Sequence, residues 1–203
     1  MDPNAFVVSQ LPPPPARVLE VGCGAGELAR QLDAAGYRVL AIDPEAPDGP
    51  IFRRVRLEEL GDPGPFDAIV AVGVLHHVVP LGPAVDKLAR LAPLLVLDEF
   101  APDRLDRAAQ KWYEAERRAL VAAGADPSGP PDLDERRAAH SDLHPSGVVL
   151  EALRARFDER LLSWEPYFYR WLHVPHVVAL ERAAVEAGIL PALGYHWVGV
   201  RRC

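Results

Sequence analysis

The run Arg17-Val-Leu-Glu20-Val-Gly22-Cys23-Gly24-Ala-Gly26-Glu27 decides the fold. A short apolar segment ends in three alternating glycines, and Leu28, Ala29 and Leu32 follow at helical spacing before the stop at Gly36. The order is strand, glycine loop, helix. Glycines at such a turn let a ligand approach the backbone, and the helix start behind them offers unpaired N–H groups. A dinucleotide fingerprint would read G-x-G-x-x-G, with a pyrophosphate seated on that helix start. Here the third glycine comes one residue early, Glu27 takes the expected place, and Glu20 stands two residues before the first glycine. Two carboxylates repel a pyrophosphate but suit a ligand with a positive amino-acid end. An NAD(P)-dependent oxidoreductase is therefore the disfavoured reading.

Outward from the loop, strands and helices alternate. Towards the N-terminus, Asp2 to Leu11 reads as a helical or irregular lead, and Pro12 to Pro15 form a stiff entry. Downstream, Tyr37 to Ile42 is a strand ending at Asp43. Ile51 to Leu57 is a weaker strand, reached across residues 44–50, too short a connection for a full crossover helix. Phe66 to Val74 carries no charge after Asp67, as expected of a central parallel strand covered on both faces. A helix over Pro83 to Leu91 leads to a strand, Leu94 to Leu97, that ends in Asp98-Glu99. The 3.6-residue period predicts a long helix over Asp103 to Ala123, stopped by Gly124. Ala125 to Pro145 has no clear period and reads as an irregular insertion, a lid candidate. A helix (Gly147 to Arg156), a strand (Arg160 to Trp164), a helix (Pro175 to Ala187) and a last strand (Tyr195 to Arg201) complete an α/β pattern.

The chain has 203 residues, enough for about one domain at the usual ~150 residues per domain. A single domain over 1–203 is the expectation. With 49% hydrophobic and 25% charged residues the sequence is that of a globular protein. Twenty-nine Asp and Glu against 22 Lys and Arg leave a net charge of −7, which argues against nucleic acid as partner. Lys87 and Lys111 are the only lysines, so the Arg pairs reflect composition rather than a binding patch. Two cysteines, Cys23 and Cys203, exclude a disulfide scaffold and a four-cysteine zinc site. No apolar run reaches the ~20 residues of a membrane span and the N-terminus has no basic leader region. A cytoplasmic protein with no membrane association is expected.

The E-x-G-x-G-x-G loop, with its helix and a second acidic strand end in register, resembles class I S-adenosylmethionine-dependent methyltransferases of the small-molecule kind, similar to the quinone-biosynthesis methyltransferases. The resemblance covers residues 12–100 well and the rest in outline. It implies a three-layer Rossmann-like sandwich whose seven-stranded sheet is mostly parallel, with the last strand antiparallel. S-adenosyl-L-methionine is the implied cofactor, held by Glu20, Gly22, Cys23, Gly24 and Gly26 at its methionine part and by Asp43, followed by Pro44, at the ribose hydroxyls. Glu58 would lie near the adenine. Gly73 and Val74 open the loop beside the transferred methyl, and His76 and His77 on that loop are the catalytic candidates. Two features depart from the family: the helix between the second and third strands is reduced to Glu45–Pro50, and Ala92-Pro93 replaces the usual Pro-Gly-Gly.

Bland readings stand beside these. Asp43 could cap the turn at Pro44, and one of Glu58 and Glu59 could simply be solvated. An imidazole takes a proton near neutral pH, yet His76 or His77 could merely pack. Positioning alone accounts for much of the rate of methyl transfer. The spacings His140-x-Asp142-x-His144 and His173-x-x-His176 lack a completing framework, so no metal is expected. Trp164, Tyr167, Phe168, Tyr169 and Trp171 form an aromatic cluster, with Tyr167, Tyr169 and His173 as substrate candidates and core or homodimer packing as the alternative. Neither cysteine follows a proline and no Asn/Asp-Pro-Pro-aromatic motif follows the fourth strand. Both absences speak against methylation of nucleic-acid bases. A methyltransferase acting on O, N or C of a small molecule is the expectation, and a non-catalytic binding or regulatory protein of the same fold is the alternative.

Overall fold

Hydrogen-bond register fixes the strand order. In a computed structural model, which describes residues 4–202 except 128, 140, 141 and 173 and leaves out the side chains of 139, 175 and 176, seven strands form one sheet. They are β1 (Arg17–Val21), β2 (Arg38–Asp43), β3 (Phe52–Arg54), β4 (Ala68–Val72), β5 (Leu94–Phe100), β6 (Phe157–Glu165) and β7 (Gly194–Arg201). Their order is β3-β2-β1-β4-β5-β7-β6. β1 pairs in parallel with β2 and with β4, β2 with β3, and β4 with β5. β7 runs the other way. Arg201 donates to the Pro93 carbonyl just before β5, and Ala101 just after β5 donates to Leu193, both at 2.7 Å. The mostly parallel sheet with an antiparallel last strand is thus as the resemblance implied.

By its contacts the chain divides into two units: Met1–Glu99 with Gly147–Ser163 and His196–Cys203, and Phe100–Ser146 with Trp164–Tyr195. In the first, α1 (Ala5–Gln10) and α2 (Glu27–Ala34) cover one sheet face. Val7 of α1 and Leu28 and Leu32 of α2 pack with Val18, Val70, Val96 and Val198. Side chains alternate across a strand, so Glu20 shares this face with Val18. On the other face Leu19, Ile69 and Leu95 stand side by side in register and are fully buried. α3 (Leu81–Leu91) and α6 (Ser146–Arg154) complete the helices around β1–β5 and β6.

The second unit is built on α4 (Arg107–Ala122), α5 (Leu133–Ala139), α7 (Tyr169–Leu172) and α8 (Pro175–Glu186). Its core joins Phe100, Ala109, Tyr113, Leu133, Phe168, Leu172, Val177 and Leu193.

Three expectations are corrected. β3 stops at Arg54 instead of Leu57, because Val55 N–H turns back to the Arg53 carbonyl and an edge strand has only one neighbour to hold it. α4 starts at Arg107, where Asp106 accepts from Ala109 N–H at 2.8 Å and caps it. The stretch read as irregular contains α5, whose start is marked by Asp132 accepting from Asp134 and Glu135 N–H groups. Connection 44–50 holds turns and no helix, as expected.

Leu19 is enclosed on all sides, so Leu19→Ala is expected to destabilise the fold by about 2–5 kcal/mol without changing its circular dichroism. Urea unfolding measures this, and a loss below about 1 kcal/mol would contradict such packing.

Candidate functional site

The three glycines of the loop have different reasons to be glycine. Gly22, Gly24 and Gly26 all have positive φ, at 75°, 49° and 79°. A Cβ on Gly22 would stand 2.5 Å from the Val74 side chain, and one on Gly26 would stand 2.5 Å from the Phe52 ring. Those two are fixed by internal packing. A Cβ on Gly24 would meet nothing within 4 Å, so the protein itself leaves that space open. The loop is braced from β2: Gly22 and Cys23 N–H groups donate to the Ile42 carbonyl at 2.8 and 3.1 Å, and Gly24 N–H to Asp43 Oδ2 at 3.1 Å. The other oxygen, Asp43 Oδ1, accepts from Glu45 N–H at 2.8 Å. Asp43 therefore does make the turn cap around exposed Pro44, and it also holds the tip of the loop. Cys23 is buried and its thiol is pushed up to about 12, by burial first and then by Glu20 and Asp43. No thiolate forms there at neutral pH.

Glu20 is 3% exposed, and among the described residues its Oε2 has no hydrogen-bond partner. Burial raises its pKa to about 8 against the pull of the Ala29 N–H, and the Asp43 charge adds to the rise. A buried carboxyl with one unfilled oxygen is costly to keep.

Across the sheet, Glu99 closes the loop after β4. Its Oε1 accepts from Val74 and Leu75 N–H groups at 2.5 and 2.8 Å, and its Oε2 lies 2.6 Å from His76 Nδ1. Glu99 is fully buried and His76 is 2% exposed. His77 is exposed, its ring centroid 4.2 Å from that of His76 at a 40° tilt. Gly73, with φ 63°, donates to the Asp98 carbonyl at 2.8 Å. Beside it His196 Nε2 lies 3.5 Å from Asp98 Oδ2 and stacks on Phe6 of α1 at 3.8 Å, so the short lead docks against this end of the unit. Glu99 was visible in the sequence only as a strand-end acid; nothing in its spacing marks the three donors it gathers.

Glu58 is exposed on the turn after β3, 4.0 Å from Arg56 Nη1. Tyr167 and Tyr169 belong to the second unit, where their N–H groups and that of Phe168 donate to the buried Glu181 at 2.6, 3.0 and 2.9 Å. Burial raises the pKa of Glu181 in spite of these three bonds. Tyr167 packs on Phe100, ring centroids 4.6 Å apart. His173 and His140 lie outside the described residues, as does the His176 side chain. Among the described residues no group of three or more His, Cys, Asp or Glu gathers as for a metal ion, and no helix is long and apolar enough to cross a membrane. The lid candidate is tied within its own unit, with Gly129 N–H on the Trp171 carbonyl and Tyr113 Oη on the Pro130 carbonyl, both at 2.7 Å. A cavity of about 770 Å³ in the first unit runs along Arg38, Leu40, Arg53 and Arg54 and has no glycine-loop residue in its wall.

Glu99→Ala strands two N–H groups and an imidazole in a buried site, so a loss of about 3–5 kcal/mol in unfolding free energy is expected. Chemical denaturation checks it, and a near-neutral result would mean the loop after β4 is held by something else.

Known proteins place this architecture. The sequence matches the methyltransferase domain family over residues 5–122. A ubiquinone biosynthesis O-methyltransferase of Rhodopseudomonas palustris is 31% identical over 88 residues, 37% of this chain and 35% of that protein. A tRNA U34 carboxymethyltransferase of Alcanivorax borkumensis is 39% identical over 77 residues, 30% of this chain and 24% of that protein. The chain thus spans about a third or less of the length of these relatives. In fold it is similar to an S-adenosylmethionine-dependent methyltransferase from Mesorhizobium loti, with a TM-score of 0.62 at 17% identity over 98% of this chain and 96% of that one. With the family match running over more than half its length, the chain belongs to the methyltransferase domain family and has the Rossmann-like fold of the class I S-adenosylmethionine-dependent enzymes.

Proposed function

We propose that this protein transfers a methyl group from S-adenosyl-L-methionine to O, N or C of a small-molecule acceptor by in-line displacement. The observation that carries the reading is Gly24, where a left-handed backbone borders space that no protein atom fills. The unfilled Oε2 of Glu20 and the double brace of Asp43 fit the same cofactor. When bound, S-adenosylmethionine supplies an activated sulfonium methyl.

The chain's own residues do the rest. Gly22 to Gly26 bind the amino-acid part, and Glu20 answers its positive end. Each oxygen of a carboxylate accepts more than one hydrogen bond, so Asp43 binds ribose hydroxyls while still bracing the loop. Pro44 and Glu58 are assigned to the adenosine side, and Gly73 and Val74 to the methyl side. His76, tied through Nδ1 to Glu99, orients the loop. The exposed His77 is the imidazole that takes a proton from an acceptor arriving protonated. For the second unit, acceptor recognition is assigned to the hydroxyls of Tyr167 and Tyr169. The net charge of −7 favours a small molecule over a nucleic acid.

Calorimetric titration with S-adenosylmethionine, S-adenosylhomocysteine and NADH tests the cofactor, with binding of the first two expected and of the third not. Asp43→Ala is expected to weaken both by about 1–3 kcal/mol. Gly24→Val is expected to abolish binding at a cost to the empty fold of about 1–3 kcal/mol, the strain of its backbone. Binding that survives Gly24→Val would mean the loop does not hold the ligand. NADH binding alone would replace the methyltransferase reading with an oxidoreductase.

A further inference from the structure

We propose that Glu20 is a proton-exchanging counter-charge: it is neutral in the empty protein and releases its proton to solvent as a cationic cofactor enters. The inference rests on the cofactor reading above and adds a coupling that the reading does not require.

The geometry leaves few alternatives for this carboxyl. Glu20 sits on the central strand β1 in register with Ala41 and Val70, and its face is covered by α1 and α2 through Val7, Leu28 and Leu32. Among the described residues no cation acts on it. β2 contributes Asp43, a like charge that acts on it, and β4 contributes the apolar Val70. From α2 it meets the Ala29 N–H, while Arg30 of the same helix is turned to the Ala25 carbonyl at 2.8 Å and over the Phe52 ring at 5.3 Å. Cys23 on the loop stays a neutral thiol. An ionised carboxylate so placed would be buried beside a second negative charge with one oxygen unpaired, which favours the protonated form. Its pKa of about 8 agrees.

Arrival of an ammonium or sulfonium reverses the balance, because an opposite charge within a few ångströms favours the carboxylate. O–H breaks, the proton goes to buffer, and the charge of the ligand is met without an unpaired anion ever standing in the empty site. The same device discriminates. A neutral or anionic ligand gives Glu20 no reason to ionise, so the loop selects for positive charge.

The sign of the pH dependence follows. Below about pH 8 the empty protein holds the proton, and the complex does not, so binding releases it and tightens as pH rises. Between pH 5.5 and 7 the affinity should climb by up to about tenfold per pH unit, the limit for one proton released. Over this range the ligand amine stays mostly protonated, its pKa being near or above ~7.7. In the empty protein the folded pKa lies above the unfolded one, so stability falls as pH rises from about 4.5 towards 8.

The experiment is calorimetry of S-adenosylhomocysteine binding at pH 6.5 in two buffers of different ionisation enthalpy, with the wild-type protein and Glu20→Gln. Release of close to one proton by the wild type and none by Glu20→Gln is the expected result. Binding by the wild type with no proton released, or equal release by both proteins, overturns the inference and leaves the cofactor reading intact. No binding of S-adenosylhomocysteine or S-adenosylmethionine overturns both. If Glu20→Gln does not bind, the pH slope of the wild type decides, and thermal unfolding of both empty proteins from pH 5 to 8 gives a second readout. Stability should fall with pH in the wild type and stay flatter in the variant; parallel curves would overturn the proposal.

Discussion

Glu99 joins the two halves of the candidate site. Its one carboxylate, fully buried at the end of β5, takes two successive N–H groups and an imidazole nitrogen. That capture fixes the turn Val74 to His76, and the turn in turn seats the Val74 side chain where a Cβ on Gly22 would have to be. The glycine loop after β1 and the loop after β4 are therefore shaped against each other. An acid on β5 sets the backbone on β4, which sets what β1 can present. The coupling explains why the first glycine is needed for packing, even though the sequence motif suggests that all three serve a ligand.

Three buried glutamates differ in how their oxygens are met. Glu99 and Glu181 each satisfy a run of donors: the turn 74–76 in one unit, the N–H groups of Tyr167, Phe168 and Tyr169 in the other. Consecutive N–H groups in a tight turn form a local positive pole, so a carboxylate at that spot stays bonded even without water. Glu20 has the same burial and no such nest. Among the described residues one of its oxygens is unmatched, and the charge that acts on it, Asp43, is negative. A buried carboxyl oxygen left open in this way is one that packing alone does not explain.

Much of the architecture could be read from period and punctuation. The strands β1, β2, β4 and β5 are apolar runs with glycine, acidic or proline ends, and Gly36, Gly124 and Gly188 stop their helices with positive φ. α5 shows no period in the sequence because a helix of seven residues gives too few turns, although Asp132 ahead of Asp134 and Glu135 is a helix-start signature. Val55 and Leu57 look strand-like, yet the hydrogen bonding of β3 ends at Arg54. At the candidate site, the motif points to Glu20, the glycines and Asp43. It could not find Glu99 or Glu181, since capture of distant N–H groups depends on tertiary approach across 23 to 25 positions in the first case and 12 to 14 in the second.

The glycine loop carries two kinds of constraint that pull in opposite directions. Gly22 and Gly26 let Val74 and Phe52 close in, which stabilises the empty protein, whereas Gly24 and Glu20 leave an open space and an open oxygen, which do not. A loop optimised for stability alone would replace Glu20 with an apolar residue, while at Gly24 the left-handed backbone disfavours any side chain, however open the space. Keeping Glu20 costs folding free energy that packing elsewhere in β1 must offset, with Val18 and Leu19 fully buried on the two faces of the strand. That trade sets an acid on a strand where its neighbours Val18, Leu19 and Val21 are all buried.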